Sequence, residues 1–94
     1  MQYFYVYILQ CFDKTYYVGH TDNLERRMVE HQEGKGALHT KKKLPVKLVY
    51  VERCASRSEA LVTEHKIKKW SCAKKEALIK GDWDLLKISA KKNF

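Results

Sequence analysis

Paired cysteines, long apolar runs and negative charge are what this sequence is short of. Its three cysteines, Cys11, Cys54 and Cys72, are odd in number, widely spaced and form no Cys-x-x-Cys pair. Neither a disulfide framework nor a zinc knuckle is indicated, and a reduced cytosol fits best. The apolar start, Met1-Gln2-Tyr3-Phe4-Tyr5-Val6-Tyr7-Ile8-Leu9, lacks a basic n-region and a small-residue cleavage site, and it is far short of the ~20 residues of a spanning helix. It reads as a strand, and the expected location is cytoplasmic, in bacterial cytosol or at the nucleoid. No internal repeat or low-complexity segment is present.

Aspartate and glutamate number 11 against 19 lysines and arginines, a net charge of +8 with a pI near 9.5. That imbalance favours polyanionic partners, nucleic acid or an acidic membrane surface, and charge alone separates neither from a plainly solvated basic face. The 94 residues hold one small domain burying roughly 60–65% of its unfolded-chain surface, with no room for a second. Apolar residues at 45% and aromatics at 12% are enough for a packed core, so the basic character is no sign of disorder.

Residues 3–9 are almost continuously aromatic or β-branched, which suits a strand covered on both faces in the middle of a sheet. A polar turn, Cys11-Phe12-Asp13-Lys14-Thr15, leads to a second β-favouring run, Tyr16-Tyr17-Val18-Gly19-His20. The hairpin they form brings Tyr7 and Tyr17 near one another. Asp22 followed by Glu25 reads as an N-cap and its capping-box partner, opening a helix through about residue 33 that Gly34 stops. Leu24, Arg27, Met28 and His31 share one face of it, so Arg27 rather than Arg26 points toward the body of the protein.

Residues 33–45 read as a flexible basic loop in which Lys35, Lys41, Lys42 and Lys43 attract phosphate, with glycines that permit close backbone approach. A solvated connector is its plainer reading. Val46–Val51 is a third strand. Ser56-Arg57-Ser58-Glu59 is a capping box ahead of a helix from about 57 to 70, whose apolar stripe, Ala60, Leu61, Ile67 and Trp70, contains Glu64. A carboxylate against such a stripe needs a cation, a metal or a hydrogen-bond network. Ser71 caps a third helix from Cys72 to about Lys80, closed by Gly81; residues 82–88 have the apolar character of a short docked helix, and 90–94 should fray. The order is β-β-α-β-α-α, an α+β arrangement with a three-stranded antiparallel sheet flanked by helices.

Tyr5-Val6-Tyr7, Tyr17-Val18-Gly19, Thr21-Asp22-Asn23-Leu24-Glu25-Arg26-Arg27 with His31, and Glu64-His65-Lys66-Ile67-Lys68-Lys69-Trp70 together resemble the GIY-YIG nuclease superfamily over about residues 3–80. Within it the chain looks most like the small stand-alone, YhbQ-like proteins, through Gly34-Lys35-Gly36-Ala37 and Leu44-Pro45-Val46-Lys47-Leu48-Val49-Tyr50. The resemblance implies a domain over residues 1–80 with 81–94 as an extension, and a metal-dependent DNA endonuclease. Tyr7 and Tyr17 match the family tyrosines, Arg27 its arginine, His31 its helix histidine and Glu64 its single metal-binding carboxylate, for one Mg2+ or Mn2+.

Tyr5 and Val6 replace the glycine and isoleucine of the nominal first triplet, and His20 stands where some members have a lysine. A histidine largely neutral at pH 7 does less to lower a tyrosine pKa, so the general base stays open. Tyr17 comes first, with Tyr7 hydrogen-bonding beside it and His20 in reserve. Arg27 is a fixed fork for phosphate oxygens, and His31 orients a tyrosine or donates to phosphate. Lys68 joins the loop lysines as a nucleic-acid contact. The alternatives are a DNA- or RNA-binding module that cuts nothing and a partner-recruiting subunit of the same fold.

Overall fold

A computed structural model describes residues 2–81. The chain forms a three-stranded antiparallel sheet in the order β2-β1-β3, from β1 (Phe4–Cys11), β2 (Tyr16–Thr21) and β3 (Val46–Cys54). The central strand is the one with the unbroken apolar run: Val6, Tyr7, Ile8 and Leu9 are all buried. Period-2 alternation divides them between two clusters. Val6 and Ile8 pack with Val18, Cys54, Ala60, Ile67 and Leu78, while Tyr7, Leu9 and Cys11 pack with Val46 and, at the margin, Tyr17, Leu24 and Met28.

Three strand ends, at Cys11, Thr21 and Cys54, lie outward of the expected ones. Cys11, expected in the turn, is buried in β1 and pairs with Val46. The third strand runs on to Cys54 because Cys54 fills the first cluster and Arg53 stacks over the Tyr3 ring at 4.4 Å. The hairpin turn is closed by Asp13, whose Oδ1 accepts from the Thr15 amide at 3.1 Å and the Thr15 hydroxyl at 2.6 Å.

Among the described residues four helices accompany the sheet: α1 (Leu24–Gln32), α2 (Leu38–Lys41), α3 (Arg57–Lys68) and α4 (Cys72–Lys80). The cap of α1 is Asn23, not Asp22. Asn23 Oδ1 accepts from Arg26 N at 3.0 Å and the Asn23 amide is itself held by Thr21 Oγ1 at 3.1 Å, so the local Thr21 turn shifts the start by one residue and leaves Glu25 outside any capping box. Ser56 and Ser71 cap α3 and α4 as expected, and Gly81 closes α4 at φ 73 in the left-handed region.

The short α2 stands inside what sequence alone marks as a flexible loop. Its hold is tertiary: Thr40 is fully buried, and Lys43, just past it, is tied to Asp13 at 2.9 Å. α3 ends at Lys68 rather than 70, and Leu61 is 45% exposed, so the buried stripe of that helix is Ala60 and Ile67. The expected docked helix and frayed end beyond Gly81 lie outside the described residues.

Candidate active site

Tyr7 is the point where two layers meet. As a central-strand residue it projects from the sheet toward α1, and its ring is 1% exposed. Its hydroxyl lies 2.9 Å from His31 Nε2 and accepts from Arg27 Nε at 3.4 Å. Arg27 and His31 reach the same oxygen because they stand one helical turn apart on the inward face of α1. Arg27 is braced from behind by Glu30, 3.2 Å from Nη1. Burial pushes the Tyr7 phenol up to about 12, against the Arg27 hydrogen bond, which favours the phenolate. Burial, and then the Arg27 charge, lower the pKa of His31 and hold it neutral near pH 7.

Tyr17 comes from β2 on the same face. Its ring centre is 6.4 Å from that of Tyr7 and 5.5 Å from that of His31. Among the described residues nothing hydrogen-bonds its hydroxyl. The exposed His39 of α2 stacks on its ring at 6.0 Å with 26° between planes.

His20 and Glu64 form a second group. Tyr7 pairs with Gly19 across the sheet and Val6 with His20, so alternation sends the His20 side chain to the α3 face, away from the tyrosines. There its Nδ1 meets Glu64 Oε2 at 3.0 Å, and Lys68 Nζ lies 3.4 Å from Oε1. Gly19 stands between the two groups: a Cβ on it would fall 2.6 Å from the Tyr7 hydroxyl, so the absent side chain is what leaves room for that oxygen. Through this gap the Glu64 charge adds to the rise of the Tyr7 pKa.

The structure therefore brings Tyr7, Tyr17, Arg27 and His31 together, sets Glu64 across β2 from them, and places His20 on Glu64 rather than on a reacting water. Lys35, Lys41 and Lys42 are exposed. Lys43 is half-buried in its link to Asp13 and Thr15, and Lys68 is engaged by Glu64. Among the described residues no three His, Cys, Asp or Glu side chains gather to cage an ion. One carboxylate oriented by a hydrogen-bonded histidine still suits Mg2+ or Mn2+, hard ions that keep waters and take substrate oxygens. Lys68, half-exposed on a long flexible stem, is free to move from that oxygen. A cleft of about 1070 Å3 along α3 and α4 shares Glu64 and Lys68 with this site but has neither tyrosine on its walls.

On sequence Gly36 reads as a glycine for close approach to phosphate rather than to His31, and Thr40 is not marked at all. Thr40 Oγ1 is 2.8 Å from His31 Nδ1, and a Cβ on Gly36 would collide with the His31 ring. The glycine in that loop was the available signal; the threonine had none.

The GIY-YIG catalytic domain pattern matches residues 3–77. The chain belongs to the GIY-YIG family. Among its relatives is a UPF0213 protein of Syntrophus aciditrophicus, 54% identical over 77 residues, spanning 81% of this chain and 88% of that one. A UPF0213 protein of Natronomonas pharaonis is 52% identical over 75 residues, 80% and 88% of the two chains. The solution structure of a UPF0213 protein from Bacillus halodurans superposes with a TM-score of 0.55 at 40% identity over 83% of each chain. The solution structure of the protein EF2693 from E. faecalis does so at 0.60 and 36% over 86% of each chain. This GIY-YIG protein thus shares the three-stranded α+β architecture of its UPF0213 relatives. No helix among the described residues is long and apolar enough to cross a membrane.

Proposed function

We propose that this GIY-YIG protein is a metal-dependent endonuclease that hydrolyses phosphodiester bonds in nucleic acid, with DNA as the substrate. The observation that carries the reading is the Tyr7 hydroxyl held between the Arg27 guanidinium at 3.4 Å and the imidazole of His31 at 2.9 Å. A phenol with a pKa near 12 is a poor base by itself. With a neutral imidazole behind it, it need never become a free phenolate: as the attacking water gives its proton to the Tyr7 oxygen, the phenol proton passes to His31 Nε2. This moves the base from Tyr17, the first choice on sequence, to Tyr7 acting with His31.

Tyr17, with its hydroxyl unclaimed by its neighbours, orients the water or a phosphate oxygen. Arg27 neutralises charge that develops at phosphorus, the role a fixed, always-ionised fork performs best. Glu64 is the residue that would hold one Mg2+ or Mn2+, with His20 as its orienting partner. A divalent ion, when bound by Glu64, would supply neutralisation at the phosphate and the departing 3′ oxygen.

The test is cleavage of duplex, branched and single-stranded DNA and of RNA, with Mg2+, with Mn2+ and with chelator, beside Glu64→Ala and Arg27→Ala. Metal-dependent cutting that both variants lose is the expected result; variants that cut as well as the parent would refute it. A binding module without turnover is favoured by one feature, the engagement of both Glu64 oxygens by His20 and Lys68. Salt-sensitive binding with no cutting under any metal would select it.

A further inference from the structure

We infer that the segment from Gly36 to Thr40 is a clamp that fixes His31 in its Nδ1-protonated tautomer, with Thr40 and Gly36 as positioning residues. The role in catalysis rests on the function proposed above; the tautomer does not. Proton counting carries the argument. Three buried groups stand in line: the Tyr7 hydroxyl 2.9 Å from His31 Nε2, His31 Nδ1 2.8 Å from Thr40 Oγ1, and Thr40 Oγ1 2.9 Å from the carbonyl of Ala37.

With the proton on Nδ1, every donor in the line has an acceptor. Tyr7 donates to Nε2, Nδ1 donates to Thr40, and Thr40 donates to Ala37. With the proton on Nε2, the ring would donate to Tyr7, whose other close polar neighbour, Arg27, has no lone pair to offer. The phenol proton would then find no acceptor among its protein neighbours, and Thr40 would have to abandon Ala37 to reach Nδ1. Leaving a buried donor unpaired is the costlier choice.

Packing holds the ring where this counting applies. His31 and Thr40 are both 0% exposed, and the Gly36 backbone lies so close to the imidazole that a side chain there would strike Nδ1, Cε1 and Cγ. The Thr40 hydroxyl is fixed in turn by α2, in which Ala37 is the N-cap and its carbonyl also accepts from Lys41 N at 2.9 Å. The consequence falls on the far side of the ring. A proton on Nδ1 leaves the Nε2 lone pair facing Tyr7, the state in which His31 receives a proton; the opposite tautomer has no lone pair there.

Side-chain 15N NMR of the full chain tests this for the parent, Thr40→Val, Thr40→Ser and Gly36→Ala, with cleavage rates measured alongside. The parent should show one tautomer, protonated at Nδ1, through neutral pH, and Thr40→Ser should keep it. Thr40→Val should give a mixture of tautomers and a rate lower by about 10–100-fold, the usual scale for losing the group that orients a functional histidine. Gly36→Ala should displace the ring and perturb both nitrogens. Should Thr40→Val fail to fold, Thr40→Ala provides the same comparison. An Nε2-protonated ring in the parent, or a Thr40→Val spectrum identical to the parent's, would overturn the clamp. A tautomer shift with unchanged cleavage would leave the clamp standing and remove His31 from the proposed proton path.

Discussion

In the proposed mechanism a buried tyrosine and a buried histidine share one proton, and that pairing sets the expected pH dependence. The groups that face His31 are Tyr7, Tyr17, Arg27 and Glu30, and of these Arg27 carries the charge that, after burial, lowers the imidazole pKa. Cleavage should rise with pH as His31 loses its proton, with the midpoint below the ordinary ~6.5. A rate–pH profile of the parent checks this, and an acid limb centred at 7 or above would speak against His31 as the acceptor. The stability sign follows from the same direction. A depressed folded-state pKa means the unfolded chain binds the proton first, so the neutral His31 contributes stability in full above ~6.5 and loses it as pH falls from there through the folded value. At this scale the sequence was partly legible. Helical spacing correctly set Arg27 and His31 on one inward face. It could not decide which tyrosine they meet, because that depends on which strand is central and on how far each side chain stands from α1. The separation of His20 from the tyrosines follows from strand alternation between Gly19 and His20.

Elements carry these residues to their places, and their ends are set by local chemistry that a sequence displays unevenly. Ser56 before α3 has an unambiguous signature and holds Glu59 N at 3.1 Å. Since α3 presents Glu64, Ser56→Ala should cost about 1 kcal/mol and lower the melting temperature by roughly 4–8 °C in a domain of this size. Calorimetry measures it, with metal-dependent cleavage retained below the transition. The Asn23 cap was harder to read, since Asp22 and Asn23 are both good caps and the Thr21 hydrogen bond that chooses between them involves backbone geometry. α2 was not legible at all. Four residues rich in basic side chains have little helical tendency of their own, and what orders them is the contact of Thr40 with the buried His31 and the tie of Lys43, just past the helix, to Asp13, far away along the chain. Thr40, the residue that meets His31 Nδ1, was hidden for that reason.

The whole molecule is a sheet with Tyr7 near its centre, the tyrosine, arginine and histidine cluster on the α1 face, a carboxylate on the α3 face and a net charge of +8. The surplus is unevenly available. Lys41 and Lys42 are exposed beside the site, whereas Lys43 is spent on the hairpin turn. Salt titrations of DNA binding should therefore show Lys41→Ala and Lys42→Ala each reducing the slope of log K against log salt by about 1. Lys43→Ala should leave the slope nearly unchanged and lower stability instead; equal slope changes at all three positions would contradict that division. The central claim is that Tyr7, with His31 behind it, takes the proton of the attacking water, and that Tyr17 only positions. Single-turnover cleavage by Tyr7→Phe, compared with the parent at saturating Mg2+ or Mn2+, tests it most directly. The expected rate is lower by about 10^2–10^4, the range for losing a general base, in a protein that still binds DNA with the parent's salt dependence. Parent-like cleavage by Tyr7→Phe would contradict it.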